Sequence, residues 1–334
     1  MNYDAILWVS FGGPEKDADV IPFLENVLRG KNVPRERMLA VAEHYYHFGG
    51  SSPINQQNRE LIRALEAELA DHGPHLPVYW GNRNWHPLLT DTVARMKSDG
   101  IKRALAFATS AYSSYSSCRQ YLENIENARA AAGEGAPVID KIRPFYNHPG
   151  YIAAMTEQVQ KALAQVPAER RTAAHIVYTA HSIPLRMAEN CRYAEQLIEA
   201  SGLVSAALGR SADPLAYQSR SGPPSQPWLV PDILEHLKTI ANNGQVKDVV
   251  VVPIGFVSDH MEVLYDLDTE ARQICAELGF NMVRAAAVGT NAGFARIVRE
   301  LIAERISGNS ERPRVGTMGP WPDVCPAGCC LPRT

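Results

Sequence analysis

The sequence predicts an α/β fold built from two similar Rossmann-like lobes, each a mainly parallel sheet flanked by helices. Short apolar runs rich in β-formers alternate with longer stretches of helical period along nearly the whole chain, the pattern left by successive βαβ units. A length of 334 residues corresponds to about two domains at roughly 150 residues each. A strand also runs into a polar or glycine turn twice, at V-S-F-G-G-P near residue 8 and at Y-T-A-H-S-I-P near residue 178, a weak internal echo.

In chain order, strands are expected over 5–10, 78–81, 103–109, 138–142, 175–179, 215–218, 246–253 and 281–284. Val249 to Pro253 is an uninterrupted apolar run, as a central parallel strand covered on both faces requires. Between the strands, residues 54–72 carry the clearest helical period. Leu61, Ile62, Leu65 and Leu69 fall on one stripe, and Glu60, Arg63, Glu66 and Glu68 point elsewhere. Pro144 and Pro149 bracket a short connection, which places the domains at 1–147 and 148–306. Beyond Ser307 the period stops. A Gly/Pro-rich tail, 307–334, ends in C-P-A-G-C-C and needs an external anchor to be ordered.

Composition excludes several function classes. The hydrophobic content of 46% is enough for each lobe to bury a core without covalent staples. A net charge of −3 provides no global basic field for nucleic acid or anionic lipid. The N-terminus has an acid at Asp4 and no basic leader, and no run approaches the roughly 18 apolar residues of a membrane span, so a cytoplasmic location is expected. Six cysteines are too few for a disulfide scaffold in a chain of this length. Cys191 and Cys275 read as ordinary helix residues.

Three segments carry candidate chemistry. His181 ends a predicted strand, at the carboxyl edge where ligands gather in open α/β sheets, although a lone histidine is more often structural. In P-I-G-F-V-S-D-H-M-E-V-L-Y-D-L-D-T-E, a loop bearing Asp259 and His260 leads into a helix with Glu262, Asp266 and Glu270 spaced four apart. On a regular α-helix such a line slants by about 40° per step, and a wider π-type turn stacks it more closely. A solvated acidic face is the plain alternative, but Met261, Val263, Leu264 and Leu267 leave little polar surface for it. Imidazole with carboxylate also suits first-row divalent metals. The third segment, Y-Q-S-R-S-G-P-P-S-Q-P-W-L-V-P-D, sets Gln218 and Ser219 at a strand end before a loop stiffened by four prolines, either functional or a rigid connector.

In chain order, T-A-H-S-I-P, Y-Q-S-R-S-G-P-P-S-Q-P-W-L and P-I-G-F-V-S-D-H-M-E-V-L-Y-D-L-D-x-E resemble the signature segments of ferrochelatases. F-G-G-P near the start and F-G-G-S-S-P-I-N near residue 50 resemble the family's N-terminal motifs, so the likeness reaches to about residue 306. G-N-R-N-W and T-S-A-Y-S-S-Y-S-S-C look most like the actinobacterial branch, associated with coproporphyrin III rather than protoporphyrin IX. The resemblance implies a chelatase-like fold with a porphyrin cleft between the lobes and insertion of Fe²⁺ on the way to haem b. His181 is implied as metal ligand or proton acceptor, Glu262 as its partner carboxylate, and Asp266 and Glu270 as an acidic track. Phe11 stands where some relatives have a tyrosine able to approach the metal, and Asn84 where some have a second histidine. Phe11, Arg29, Tyr45, Ser52, Tyr115 and the Gly49–Gly50 amides are candidates to hold the porphyrin. Arg29 reads equally as a charge at a helix C-terminus.

A [2Fe–2S] cluster needs four thiolates, and Cys325, Cys329 and Cys330 supply three. Cys118, in Y-S-S-C, falls where the resemblance implies the fourth. A zinc site or idle thiols are the alternatives. The implied partners are the porphyrin and Fe²⁺, with transient contact to other haem-pathway enzymes. Competing readings are a protoporphyrin IX ferrochelatase, a cobalt or nickel chelatase of the same fold, and a non-catalytic tetrapyrrole-binding protein.

Overall fold

The computed structural model describes residues 2–223, 225–242, 244–308 and 311–332. Pro224, one of the four prolines of the stiffened loop, lies outside the described residues.

Among the described residues, eight parallel strands form where apolar runs predict them: β1 (Ala5–Ser10), β2 (Val78–Asn82), β3 (Arg103–Ala108), β4 (Val138–Lys141), β5 (His175–His181), β6 (Leu215–Gln218), β7 (Asp248–Val252) and β8 (Asn281–Arg284). They build two four-stranded sheets, ordered β2-β1-β3-β4 and β6-β5-β7-β8, with every neighbouring pair parallel. Each sheet thus sets its strands in the order second, first, third, fourth, and the internal echo in the sequence is a repeated topology. The two inner strands of each sheet need apolar side chains on both faces. β1 and β7 are accordingly buried at every position.

The chain packs into two compact units, Met1–Thr109 with Gln120–Ile142 and Val298–Ser310, and Ser110–Arg119 with Arg143–Ile297 and Glu311–Thr334. In the first unit, β1, β3 and β4 share an apolar core with Leu89, Val93, Met96, Tyr121 and Ile125. The helix Ile54–His72 buries Leu61, Leu65 and Leu69 as its stripe predicts. In the second unit, Val177, Val249 and Val251 of the sheet pack against Ile233, Leu237, Val263, Leu267, Ala271 and Cys275. The helical segment that carries the acidic residues is therefore seated on the sheet by its apolar positions. Cys275 is a buried helix residue, as expected. Cys191 instead lies in the turn between the helices Leu185–Ala188 and Tyr193–Ala207, where its thiol donates to the Met187 carbonyl at 3.2 Å.

The tail is anchored from outside, as its composition demands. Glu199 Oε1 accepts from the Thr317 amide at 2.6 Å, the Thr317 hydroxyl at 2.9 Å and the Met318 amide at 2.7 Å. Gly316 has φ +87°, and a Cβ there would stand 2.7 Å from Glu199 Oε1, so glycine is required for the approach. Arg119 and Asn190 donate to the carbonyls of Ala327 and Leu331 further along.

Candidate active site

His181 is the last residue of β5, and its backbone is held on three sides. The Tyr193 hydroxyl donates to the His181 carbonyl at 3.2 Å, the Ser182 amide to the Gln218 carbonyl at 2.8 Å, and the Ser182 hydroxyl to the Leu229 carbonyl at 2.9 Å. After β7 the chain turns at Gly255, whose amide donates to the Thr179 carbonyl at 3.0 Å. A Cβ at Gly255 would stand 2.6 Å from that of Ala180, so only glycine lets this loop press against the end of β5.

The His181 ring makes a short contact from Nδ1 to the Ser182 carbonyl. A carbonyl only accepts, so Nδ1 is the donor, and in the neutral ring Nε2 keeps its lone pair. Nε2 faces Glu262 Oε2 at 3.7 Å, with the two side chains 32% and 48% exposed. That span is too long for a hydrogen bond, and it would admit a first-row divalent ion between the two atoms. Such a pair could offer two donor atoms to an ion and a base to a proton.

Glu262 lies in the short turn Met261–Val263, which passes into a π-helical turn over Leu264–Ala271. Widened turns of this kind recur at functional sites. Asp266 accepts from Gln218 Nε2 at 3.3 Å and from the Ser219 hydroxyl in a shorter contact. Gln218 Nε2 also reaches the Glu262 carbonyl at 3.1 Å. Ser219 adopts φ +61°, a conformation uncommon for a residue with a side chain. Burial pushes the Asp266 carboxyl up to about 7, with Glu262 and Glu270 adding to the rise and the two hydrogen bonds opposing it. Glu270 is also raised by burial, with Asp232 adding. His260 is held down by burial, with the Glu262 charge opposing and His181 reinforcing, and its ring rests 5.0 Å from that of Phe256.

The remaining predicted residues divide between the units. In the first, Phe11 follows β1, with the Arg83 guanidinium 5.6 Å from its ring centre. The Asn84 amide and side chain both donate to the Phe11 carbonyl, at 3.1 and 3.3 Å. Arg29 caps the helix Asp17–Leu28 and turns back to Asn26 Oδ1 at 2.5 Å. Tyr45 is buried edge-on against Phe23 at 5.7 Å, and Ser52 is buried with its amide on the Pro14 carbonyl. The amides of Gly49 and Gly50, expected to serve a ligand, donate instead to the carbonyls of Tyr46 and Tyr45 at 3.0 and 2.9 Å, closing the preceding helix. In the second unit, Tyr115 opens the π-helical turn Tyr115–Arg119 that contains Cys118.

Cys118, Cys325, Cys329 and Cys330 are linked in sequence by thiol contacts. Cys118 and Cys329 beside Cys325, with burial, push its thiol well up, and the Sγ atoms of Cys329 and Cys330 lie 3.4 Å apart. Cys330 has φ +53°, which turns two adjacent side chains toward each other. Two thiolates on one tetrahedral metal lie about 3.7 Å apart at a metal–sulfur distance near 2.3 Å. Among the described residues, no group of three or more His, Cys, Asp or Glu side chains surrounds a single ion position.

The ferrochelatase family model matches residues 3–306, nearly the whole of both units. The chain belongs to the ferrochelatase family. A ferrochelatase of Rhodopirellula baltica is 56% identical over 98% of this chain and 93% of its own length. Proteins named coproporphyrin III ferrochelatase in Nocardia farcinica and Mycolicibacterium smegmatis are 49% and 50% identical, covering 100% and 98% of this chain and 98% and 95% of theirs. A sirohydrochlorin chelatase of Bacillus subtilis, solved with cobalt, superposes with a TM-score of 0.54 over 92% of this chain and 98% of its own, at 12% identity. That likeness shows the chelatase fold alone.

Residues of this ferrochelatase site that the sequence did not mark are Tyr193 and Arg284. Each acts on a partner distant along the chain, Tyr193 on the His181 carbonyl and Arg284 on Asp259 and Asp268, and no local spacing signals either.

Proposed function

We propose that this enzyme inserts Fe²⁺ into coproporphyrin III, yielding Fe-coproporphyrin for haem biosynthesis, with His181 and Glu262 as the pair that handles metal and protons. The single observation that carries the reading is His181 Nε2 facing Glu262 Oε2 at 3.7 Å, with both side chains partly exposed. Full-length similarity to proteins named for coproporphyrin III supports the substrate.

Metallation exchanges two pyrrole N–H protons for one Fe²⁺, so the ring must meet a base as well as a metal. As a neutral ring, His181 offers Nε2 to one proton, and Glu262 beside it accepts the second or holds the ion. Asp266, poised near neutrality by burial, passes protons between Glu262 and solvent. Glu270, at the far end of the π-helical turn and exposed, completes the acidic track. Phe11 offers a phenyl ring and no ligand atom, which leaves His181 and Glu262 as the protein's metal contacts. Arg29, exposed at its helix end, is the proposed propionate partner in the first unit, where its guanidinium suits a bidentate carboxylate.

Cys118, Cys325, Cys329 and Cys330 fit a [2Fe–2S] cluster by their pairwise contacts and by the left-handed backbone at Cys330. When bound, such a cluster supplies a one-electron couple tuned by hydrogen bonds and exposure. The thiols themselves tie the tail to the turn at Cys118. No described helix is long and apolar enough to cross a membrane.

The test is anaerobic turnover with Fe²⁺ on coproporphyrin III and protoporphyrin IX side by side. A higher kcat/KM for coproporphyrin III is expected, and equal or inverted values contradict the substrate assignment.

A further inference from the structure

Glu262 and Asp266 are bracketed along the chain by Asp259 and Asp268, and one arginine holds both brackets. Arg284 ends β8 with its side chain 13% exposed. Its Nη1 donates to Asp259 Oδ1 at 2.8 Å and to the Ala285 carbonyl at 3.1 Å. Its Nε donates to Asp268 Oδ1 at 2.8 Å and Oδ2 at 2.9 Å. Asp259 is further fixed by the Ala287 amide at 3.3 Å, and Asp268 by Arg272 at 3.3 Å.

Between the two aspartates run the turn Met261–Val263 and the first half of the π-helical turn Leu264–Ala271. A π turn is rare and is found mostly as a single-turn insertion, so the register here gains from an external tie. Burying an arginine with two carboxylates is seldom stabilising in itself, because desolvation offsets the attraction. A network of this kind is better explained by the geometry it enforces. Sliding the turn by one residue would move Glu262 off the face it shares with His181.

We propose that Arg284 is a positioning residue of the metal site: by tying Asp259 to Asp268 it fixes the register of the π-helical turn and keeps the Glu262 carboxylate opposite His181. The proposal rests on the reading of His181 and Glu262 as the metal-handling pair.

The experiment compares Arg284→Met and Asp268→Asn, each in the wild-type and in the Glu262→Ala background. Zn²⁺ affinity is measured by calorimetry, and coproporphyrin III affinity by fluorescence quenching. In the wild-type background both substitutions are expected to weaken Zn²⁺ binding by roughly tenfold or more, as loss of an outer-shell partner of a metal ligand does. Porphyrin affinity stays unchanged. In the Glu262→Ala background neither substitution weakens Zn²⁺ further, because a residue acting through Glu262 has nothing left to position. Unchanged Zn²⁺ affinity in the wild-type background, or a loss that adds to that of Glu262→Ala, overturns the proposal. Should Arg284→Met fail to fold, Asp268→Asn alone decides, since it leaves the Arg284–Asp259 pair in place. Wild-type Zn²⁺ affinity in Glu262→Ala itself would refute the metal-pair reading, and this proposal with it.

Discussion

Asp266→Asn should make the protein more stable and less active. Burial raises the Asp266 carboxyl from 3.8 to about 7. The folded chain therefore binds this proton more tightly than the unfolded chain, and the group's contribution to stability falls as pH rises from about 4 to about 7. Above that window the folded chain carries a costly buried charge. At 1.36 kcal/mol per pH unit the cost is at most about 4 kcal/mol, and about 2 kcal/mol once water reaching a half-buried side chain is counted. Asparagine removes the charge and keeps an acceptor for Ser219. At about 2.1 cal/mol/K per residue, the unfolding entropy of this chain turns 2 kcal/mol into a melting shift of about 3 °C. Thermal melts at matched ionic strength should place Asp266→Asn about 3 °C above wild type at pH 8 and about a third of that at pH 5, with slower iron insertion at both. A difference that does not depend on pH, or a variant that melts lower at pH 8, would refute the reasoning.

Two further expectations test separate parts of the molecule. His175 and His236 meet Nε2 to Nε2 at 2.9 Å, so one proton serves both rings, and burial lowers both, His236 to about 4. Because the unfolded rings take protons first, stability should fall as pH drops below about 6.5, by about 2 kcal/mol at pH 4 after discounting partial burial. His236→Gln should flatten that loss, and an unchanged acid profile in urea titrations would count against the pair. Protein purified anaerobically should be red-brown with a [2Fe–2S] absorbance that Cys118→Ser abolishes, and a colourless wild type would remove the cluster.

Much of this was legible because the signals are local. Apolar runs such as Val249 to Pro253 can only be covered strands, and the Leu61, Leu65 and Leu69 stripe has one way to face a sheet. The spacing of Glu262, Asp266 and Glu270 marked a helical line of acids but left regular and widened turns open, and a π-helical turn occupies Leu264–Ala271. Illegible features depend on partners far along the chain. Nothing near Arg284 announces that it reaches 25 residues back to Asp259. The Gly49–Gly50 amides looked available because the preceding helix had no visible end. The exchange of 110–119 and 298–310 between compact units reflects packing that local periodicity does not encode. Ser219 is a left-handed serine at the end of β6, a position where the sequence alone gave no reason to expect strain.

The most direct measurement is a single-turnover reaction of Fe²⁺ with coproporphyrin III under nitrogen, followed by absorbance, for wild type and His181→Ala. Wild type should yield the iron porphyrin, while His181→Ala quenches porphyrin fluorescence as wild type does yet metallates it at least about a hundredfold more slowly. Equal rates in the two proteins would contradict the assignment of His181 Nε2 as the group that receives the metal or the pyrrole proton.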